Sequence, residues 1–297
     1  MAMLLRSFLI AAIGLASSVA LAAGNPLAGD SGTSGLPFDV EAQQSLEYNQ
    51  TQRQYVARGK AKVTRGDMSV TGDTLTGFER DKKDGTGSEV YRFTAEGHVQ
   101  VANGRAVAYG DKADYNVDSQ VAVMTGRDLK LIAADDILTA RDRFEYYAAG
   151  QKAIAIGDAK AIRKTPQGTR TITADRMTAY FKKDAGGKTV ADRIEAEGNV
   201  KMLSGTAEGT DVATGDHGSY DPDSSKATLT GDVKLTRGPN QLEGNTAEVD
   251  VNTGVSKLIG TPDGKTSDMR VRGLLIPGHN GIDKITGPAK TSSETQP

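Results

Sequence analysis

The sequence predicts an all-β fold, an elongated sheet structure in which units of about 30 residues stack one on the next. Three observations predict it. A phrase recurs: GKAKVTRGDMSVTGD, from Gly59 to Asp73, returns as GDVKLTRGPNQLEG, from Gly231 to Gly244. Apolar and polar residues alternate with period two beside these glycines, which gives a strand one apolar and one polar face. The composition suits strands and tight turns over a thin core, with 35 glycines, 37% hydrophobic residues, 5% aromatics and no tryptophan.

In chain order, the first element is a leader. Arg6 precedes the apolar run SFLIAAIGLASSVALAA, and Ala20-Leu21-Ala22 is a small-x-small site. Residues 1–22 therefore read as a secretory signal peptide cut after Ala22. An uncleaved anchor is the alternative, although Ser17 and Ser18 interrupt a run only just long enough to span. Residues 23–40, rich in Gly, Ser and Pro, read as a flexible lead-in. The repeat occupies residues 41–262. Gly59, Gly97, Gly126, Gly157, Gly198 and Gly231 each lead an alternating stretch, and Gly260 closes the series. The Gly126 unit is one residue longer, as Arg-Asp-Leu-Lys-Leu. A second marker follows in each unit: Asp73, Asp111, Asp142, Asp175, Asp216, and Asn245 in the last. Each unit thus holds three or four short strands separated by turns, with apolar faces turned inward between two sheets. Longer units carry their excess in polar turns, Asp81–Glu89 and Lys182–Val190. Residues 134–155 are helical by composition, but their place in the repeat makes them strands. Residues 263–297, polar and broken by Gly and Pro, read as a disordered tail.

Charge and motifs remove several function classes. There are 36 basic and 38 acidic residues, without the basic face of a nucleic-acid binder. No cysteine is present, so no disulfide or thiolate metal site exists. His98, His217 and His279 share no metal-ligand spacing. Calcium rolls also repeat Gly and Asp, but every nine residues or so, and here turn formation is the better reading of the aspartates. No cofactor is implied. There is no Gly-x-Ser-x-Gly elbow, phosphate loop or His-Glu-x-x-His. A polysaccharide-active β-solenoid would need paired carboxylates near aromatic platforms, and only 15 Tyr and Phe exist.

Alternation places Val63, Val99, Val101, Leu129, Leu131, Phe144, Tyr146, Val200, Met202, Val233 and Leu235 on the inward face. Most are mid-sized aliphatics. Such a face either collapses into a thin dry core or stays partly open as a trough for an apolar ligand. The residues alone leave both outcomes open.

The repeat resembles the OstA-like family of lipopolysaccharide-transport proteins. The resemblance is carried by GKAKVTRGDMSVTGDTLTG (Gly59–Gly77), YGDKADYNVDSQVAVMTG (Tyr109–Gly126), EGNVKMLSG (Glu197–Gly205) and GDVKLTRGPNQLEGNTAEVDVNTG (Gly231–Gly254), and spans Glu41 to Gly260. It implies an open β-jellyroll of stacked antiparallel strands, non-enzymatic and periplasmic. Lipopolysaccharide acyl chains would lie along the inward residues named above. Protomers would join end to end. One end would meet an inner-membrane-anchored partner of the same fold, and the other the matching domain of an outer-membrane translocon. A membrane-tethered member of the same system is the alternative. The chain is longer than a minimal member, which leaves the protomer number open.

Overall fold

A computed structural model describes residues 38–165, 168–206, 209–250, 255–260 and 270–276. The expected leader lies outside these residues, as do most of the lead-in and tail. The strands are β1 (Asp39–Glu41), β2 (Ser45–Asn49), β3 (Gln54–Arg65), β4 (Met68–Asp81), β5 (Ser88–Asn103), β6 (Ala106–Asn116), β7 (Val121–Thr125), β8 (Leu129–Ala133), β9 (Asp136–Ala140), β10 (Arg143–Tyr147), β11 (Lys152–Thr165), β12 (Gly168–Lys183), β13 (Thr189–Thr206), β14 (Gly209–Asp221), β15 (Lys226–Arg237), β16 (Asn240–Asp250), β17 (Ser256–Ile259) and β18 (Arg272–Leu274). Every pairing is antiparallel, and all the strands belong to one sheet.

The strands are longer than expected, and the two sheets are one. The glycines do not end strands; they bend them. At Gly59, Gly97, Gly157, Gly198 and Gly231 the glycine and the residue after it both have positive φ, as in Gly198 (74°) and Asn199 (49°). The ladder slips there, for instance between Glu197 and Val200, which is a β-bulge. Each long strand therefore runs through one leaf of the jellyroll, turns at its bulge and continues in the other. Gly126 differs. Its longer unit breaks the strand, so β7 lies in leaf one and β8 in leaf two, both paired to β6. Arg141 and Asp142 separate β9 from β10 in the same way, both paired to β11. The segment 134–155 is thus strand, broken at the leaf boundary.

The repeated aspartates were expected to form turns. Instead they sit beside the bulges on the neighbouring strand. Asp175 Oδ2 accepts from Asn199 Nδ2 at 2.9 Å, and Asp73 Oδ2 is 2.9 Å from His98 Nδ1. Asp111 Oδ2 accepts from the Arg127 backbone N–H at 3.0 Å. A Cβ at Gly198 would lie 2.2 Å from Asp175 Oδ2, so both the backbone angle and the carboxylate require glycine.

Inward residues form continuous cross-strand rows. In leaf one a row runs from Leu46 and Ala57 through Met124, Phe144 and Ala155 to Leu229, Ala247 and Leu258. In leaf two a row runs from Val40 and Val63 through Val101, Leu131 and Met202 to Leu235 and Leu242. Outer faces carry exposed ion pairs such as Arg80–Asp118 (2.6 Å), which contribute little to stability. Both chain ends extend past the expected limits. β1 begins at Asp39 within the lead-in, and β18 lies in the tail, where Leu274 pairs with Gln241. VRGLLI is apolar enough to add a strand to an open edge, unlike the polar sequence around it.

Candidate functional site

The space between the leaves holds an open cavity of about 620 Å³. It runs from Phe38 at the N-terminal end to Tyr220 on β14, and its lining is overwhelmingly apolar. Its size falls in the range of about 300–1,000 Å³ typical of sites that bury most of a small ligand.

Two kinds of side chain shape the space between the leaves. Alanines are frequent at the inward positions, among them Ala108, Ala113, Ala153, Ala155, Ala161 and Ala179. Interleaved with them is an aromatic row in leaf one: Tyr48, Tyr55, Phe93, Tyr115, Tyr146 and Tyr220. Of these rings the sequence reading of the inward face includes only Tyr146; Tyr48, Tyr55, Phe93, Tyr115 and Tyr220 are left out of it. Their signal was available, since each falls in phase with the alternation of its strand. Phe38 and Phe93 bring their ring centroids to 5.5 Å, joining the first strand of leaf two to leaf one at this end.

The eleven inward residues fall into three groups. Val63, Val101, Leu131, Phe144, Tyr146 and Met202 line the cavity. Val99, Leu129 and Val200 pack at the bend, where the leaves converge, and are 1–2% exposed. Their cross-strand partners there are small: Gly110, Ala140 and Gly215. A Cβ on Gly110 would reach Leu129 Cδ2 at 3.1 Å. Val233 and Leu235 belong to the C-terminal end, which is closed. There Leu229, Leu235 and Leu242 meet from both leaves with Val249 in one dry cluster. So the inward face is both an open trough and a dry core, at different places along its length.

Leaf two ends in a polar lip. Two residues beyond the Val63–Leu242 row, on the same face, Arg65 is followed by Met68, Asn103, Ala106 and Ala133, and then come Asp136, Arg163, Arg170, Ser204, Asp211, Arg237 and Asn240. Asp136 is nearly buried and accepts two bonds from Arg163, at 2.5 Å each. Burial pushes its carboxyl above the usual range, against the pull of Arg163. Asp211, also buried, lies 3.4 Å from Arg237 Nε. Burial, and then the charge of Arg163, lower the Arg170 guanidinium. The lip of leaf one is mixed: Val90, Phe181 and Ala191 lie there, and Glu79, opposite Val90, accepts a bond from the Tyr48 hydroxyl at 2.9 Å.

The family model described as LptA/(LptD N-terminal domain) LPS transport protein matches twice, over residues 39–152 and 142–255. The two matches meet in the segment around β10, near the place where the strands are broken rather than bent. An uncharacterized protein of Rhizobium meliloti (strain 1021), R00383, is 31% identical over 135 residues, covering 44% of this chain and 68% of that protein. The crystal structure of LptH, the LptA homologous periplasmic component of the lipopolysaccharide transport device from Pseudomonas aeruginosa, is similar over 82% of this chain and 99% of that one. That likeness is at 14% identity and a TM-score of 0.21. With the family model matched over most of its length, the chain belongs to the LptA/LptD N-terminal family of lipopolysaccharide-transport proteins, a family of non-enzymatic carriers.

Proposed function

We propose that this protein carries lipopolysaccharide through the periplasm, with its acyl chains in the trough between the leaves. The observation that supports this most is the cavity itself, apolar, lined from both leaves and open along its mouth. Each CH₂ withdrawn from water into such a space contributes about 0.8 kcal/mol. The signal-peptide reading of residues 1–22 agrees with export.

Bridging would come from the two ends of the sheet. β1 and β2 offer one free edge and β17 and β18 the other, and strand addition at a free edge is an established docking mode. Leu46 is 61% exposed at the first end and Leu274 60% at the second. In this reading one edge takes an inner-membrane-anchored partner of the same fold and the other an outer-membrane translocon domain. End-to-end copies of this chain would fill the gap between.

Site-specific photo-crosslinking in cells tests the lipid. A crosslinking amino acid at Leu131, Phe144 or Met202, which line the cavity, is expected to capture lipopolysaccharide. At Lys130 and Lys201, the exposed residues next in sequence, it is not. No adduct at the three inner positions of an exported, folded chain, or equal adducts at all five, would overturn the reading.

A further inference from the structure

We propose that the outer face of leaf two is a docking surface for an anionic lipid bilayer. The face is independent of what the trough carries, because its side chains point away from the cavity.

Alternation makes the first argument. Strands of leaf two carry two apolar residues in succession: Leu131-Ile132, Ile137-Leu138, Ala161-Ile162, Met202-Leu203 and Val212-Ala213. One of each pair points inward, so its neighbour points out. Apolar residues on both sides are the pattern of a strand covered on both faces, but this fold covers only the inner one. The outward members, Ile132, Ile137, Ile162, Leu203 and Val212, are joined by Val107; all six are half-buried, and none belongs to the cavity lining or the buried clusters. Register sets them in one cross-strand row, interrupted only by Thr171. At about 4.8 Å per strand, the stripe from Val107 to Val212 is about 29 Å long.

Charge makes the second argument. Two residues nearer the bend, on the same outer face, lysine and threonine alternate from strand to strand: Lys130, Thr139, Lys160, Thr173, Lys201, Thr214 and Lys234. The lysines therefore recur about every 10 Å. Lys234 lies 3.7 Å from Glu243. Lys130 stands 5.3 Å over the Tyr109 ring, and among the described residues neither it nor Lys160 or Lys201 meets a carboxylate. Neither row holds an acidic residue between Asp39 and Glu41 on β1 and Glu243 on β16. The bulge aspartates stand beyond the lysines, but Asp111, Asp158 and Asp175 are engaged by Arg127, Arg141 and Asn199. The hairpin turns on the other border carry Arg105 and Lys164 against Asp135. Leaf one shows the contrast, since its outer rows mix both signs in pairs such as Arg92–Asp114 and Lys112–Glu96. With 36 basic and 38 acidic residues in the whole chain, the cationic excess is local to this face. An aliphatic stripe beside unpaired lysines fits the surface of an anionic bilayer. The aliphatics settle among the headgroups, the lysine stems lie along apolar surface, and their ammonium groups reach lipid phosphates.

The test is co-sedimentation of the purified mature chain with vesicles of phosphatidylcholine, alone or with about one part in three of phosphatidylglycerol. The expected result is binding at least about tenfold tighter to the anionic vesicles, a preference that about 0.5 M salt removes. Lys130→Gln/Lys160→Gln/Lys201→Gln should weaken that binding about a hundredfold, at about fivefold per lysine. The same change of charge on the outer face of leaf one, Arg58→Gln/Lys112→Gln/Arg176→Gln, should weaken it less than about threefold. Ile132→Ser/Ile162→Ser should weaken it about tenfold. Should the isoleucine variant not fold by circular dichroism, the two triple variants decide. Equal binding to both kinds of vesicle, or equal losses from the two triple variants, overturns the proposal. Binding to neither also overturns it, and leaves the trough reading standing. A dimer in solution that Ile162→Ser dissolves, without vesicle binding, would assign the face to a second copy of the chain and overturn the proposal as well.

Discussion

Replacing Gly198 by alanine tests whether the bulges are what fold each strand into two leaves. Gly198 has φ +74°, and an added Cβ would lie 2.2 Å from Asp175 Oδ2 and 3.0 Å from Asp175 Cβ. The left-handed backbone costs about 1–2 kcal/mol for a residue with a Cβ. Displacing the Asp175 carboxylate forfeits its bond to Asn199 Nδ2, about 1 kcal/mol more. The sum is about 2–3 kcal/mol. Gly187 supplies the control, because its φ is +77° but nothing lies within 4 Å of the added Cβ. Gly187→Ala should cost only the backbone part, about 1–2 kcal/mol. Urea unfolding, followed by circular dichroism, reads both as a shift of midpoint at constant slope. The double variant Gly198→Ala/Asp175→Ala should be about 1 kcal/mol less destabilised than the sum of its parts, since the contact is removed once. If Gly198→Ala costs no more than Gly187→Ala, or if the double variant is additive, the packing of the aspartate on the bulge is not what selects glycine.

Two further outcomes follow from the same geometry. Leu229→Ala, in the closed C-terminal core at 0% exposure, should cost about 3 kcal/mol in urea unfolding, and Leu131→Ala, which faces the cavity, about 1 kcal/mol; equal costs would mean that the trough is shut in solution. Glu145 is raised by burial, but bonds from Arg143 (2.5 Å) and Tyr147 (2.9 Å) together outweigh this and hold its carboxyl below the usual range. Its contribution is therefore present above the unfolded value near 4.5 and is lost as pH falls through the lower folded value, so the melting-temperature difference between wild type and Glu145→Gln should shrink from pH 6 to pH 3; an unchanged difference would refute the assignment.

Much of the fold was legible because the strand signal is local. The pleat sends successive side chains to opposite faces, so Val63, Val101 and Met202 declare their side by their neighbours alone. Glycine and aspartate at fixed places in each unit marked every bend. What they did was misread, since a Gly-x step between two alternating stretches looks the same whether the chain reverses or only bulges. The difference lies in the partner strand, where Asp73 or Asp175 fills the space beside the glycine. Aromatics such as Phe93 and Tyr115 were in phase with the inward face, yet a low overall aromatic content concealed their concentration along one row. The arginine lip was illegible for another reason. Arg163 and Arg170 lie at strand ends, where a charged residue in sequence looks like part of a solvated turn.

By itself, then, the sequence determined that the chain is a repetitive β structure, where each unit bends, and which side chains point inward. Alternation and turn chemistry act between residues a few positions apart, so they can be read from the chain. Only the tertiary structure decided where the leaves close and where they stay open. That depends on the summed volume of side chains facing one another across the gap, contributed by different strands of both leaves. Leu229, Leu235 and Leu242 fill their share of it, whereas Ala108, Ala155 and Ala161 do not. Packing fills space regardless of sequence order, and so the trough becomes visible only when the strands are side by side.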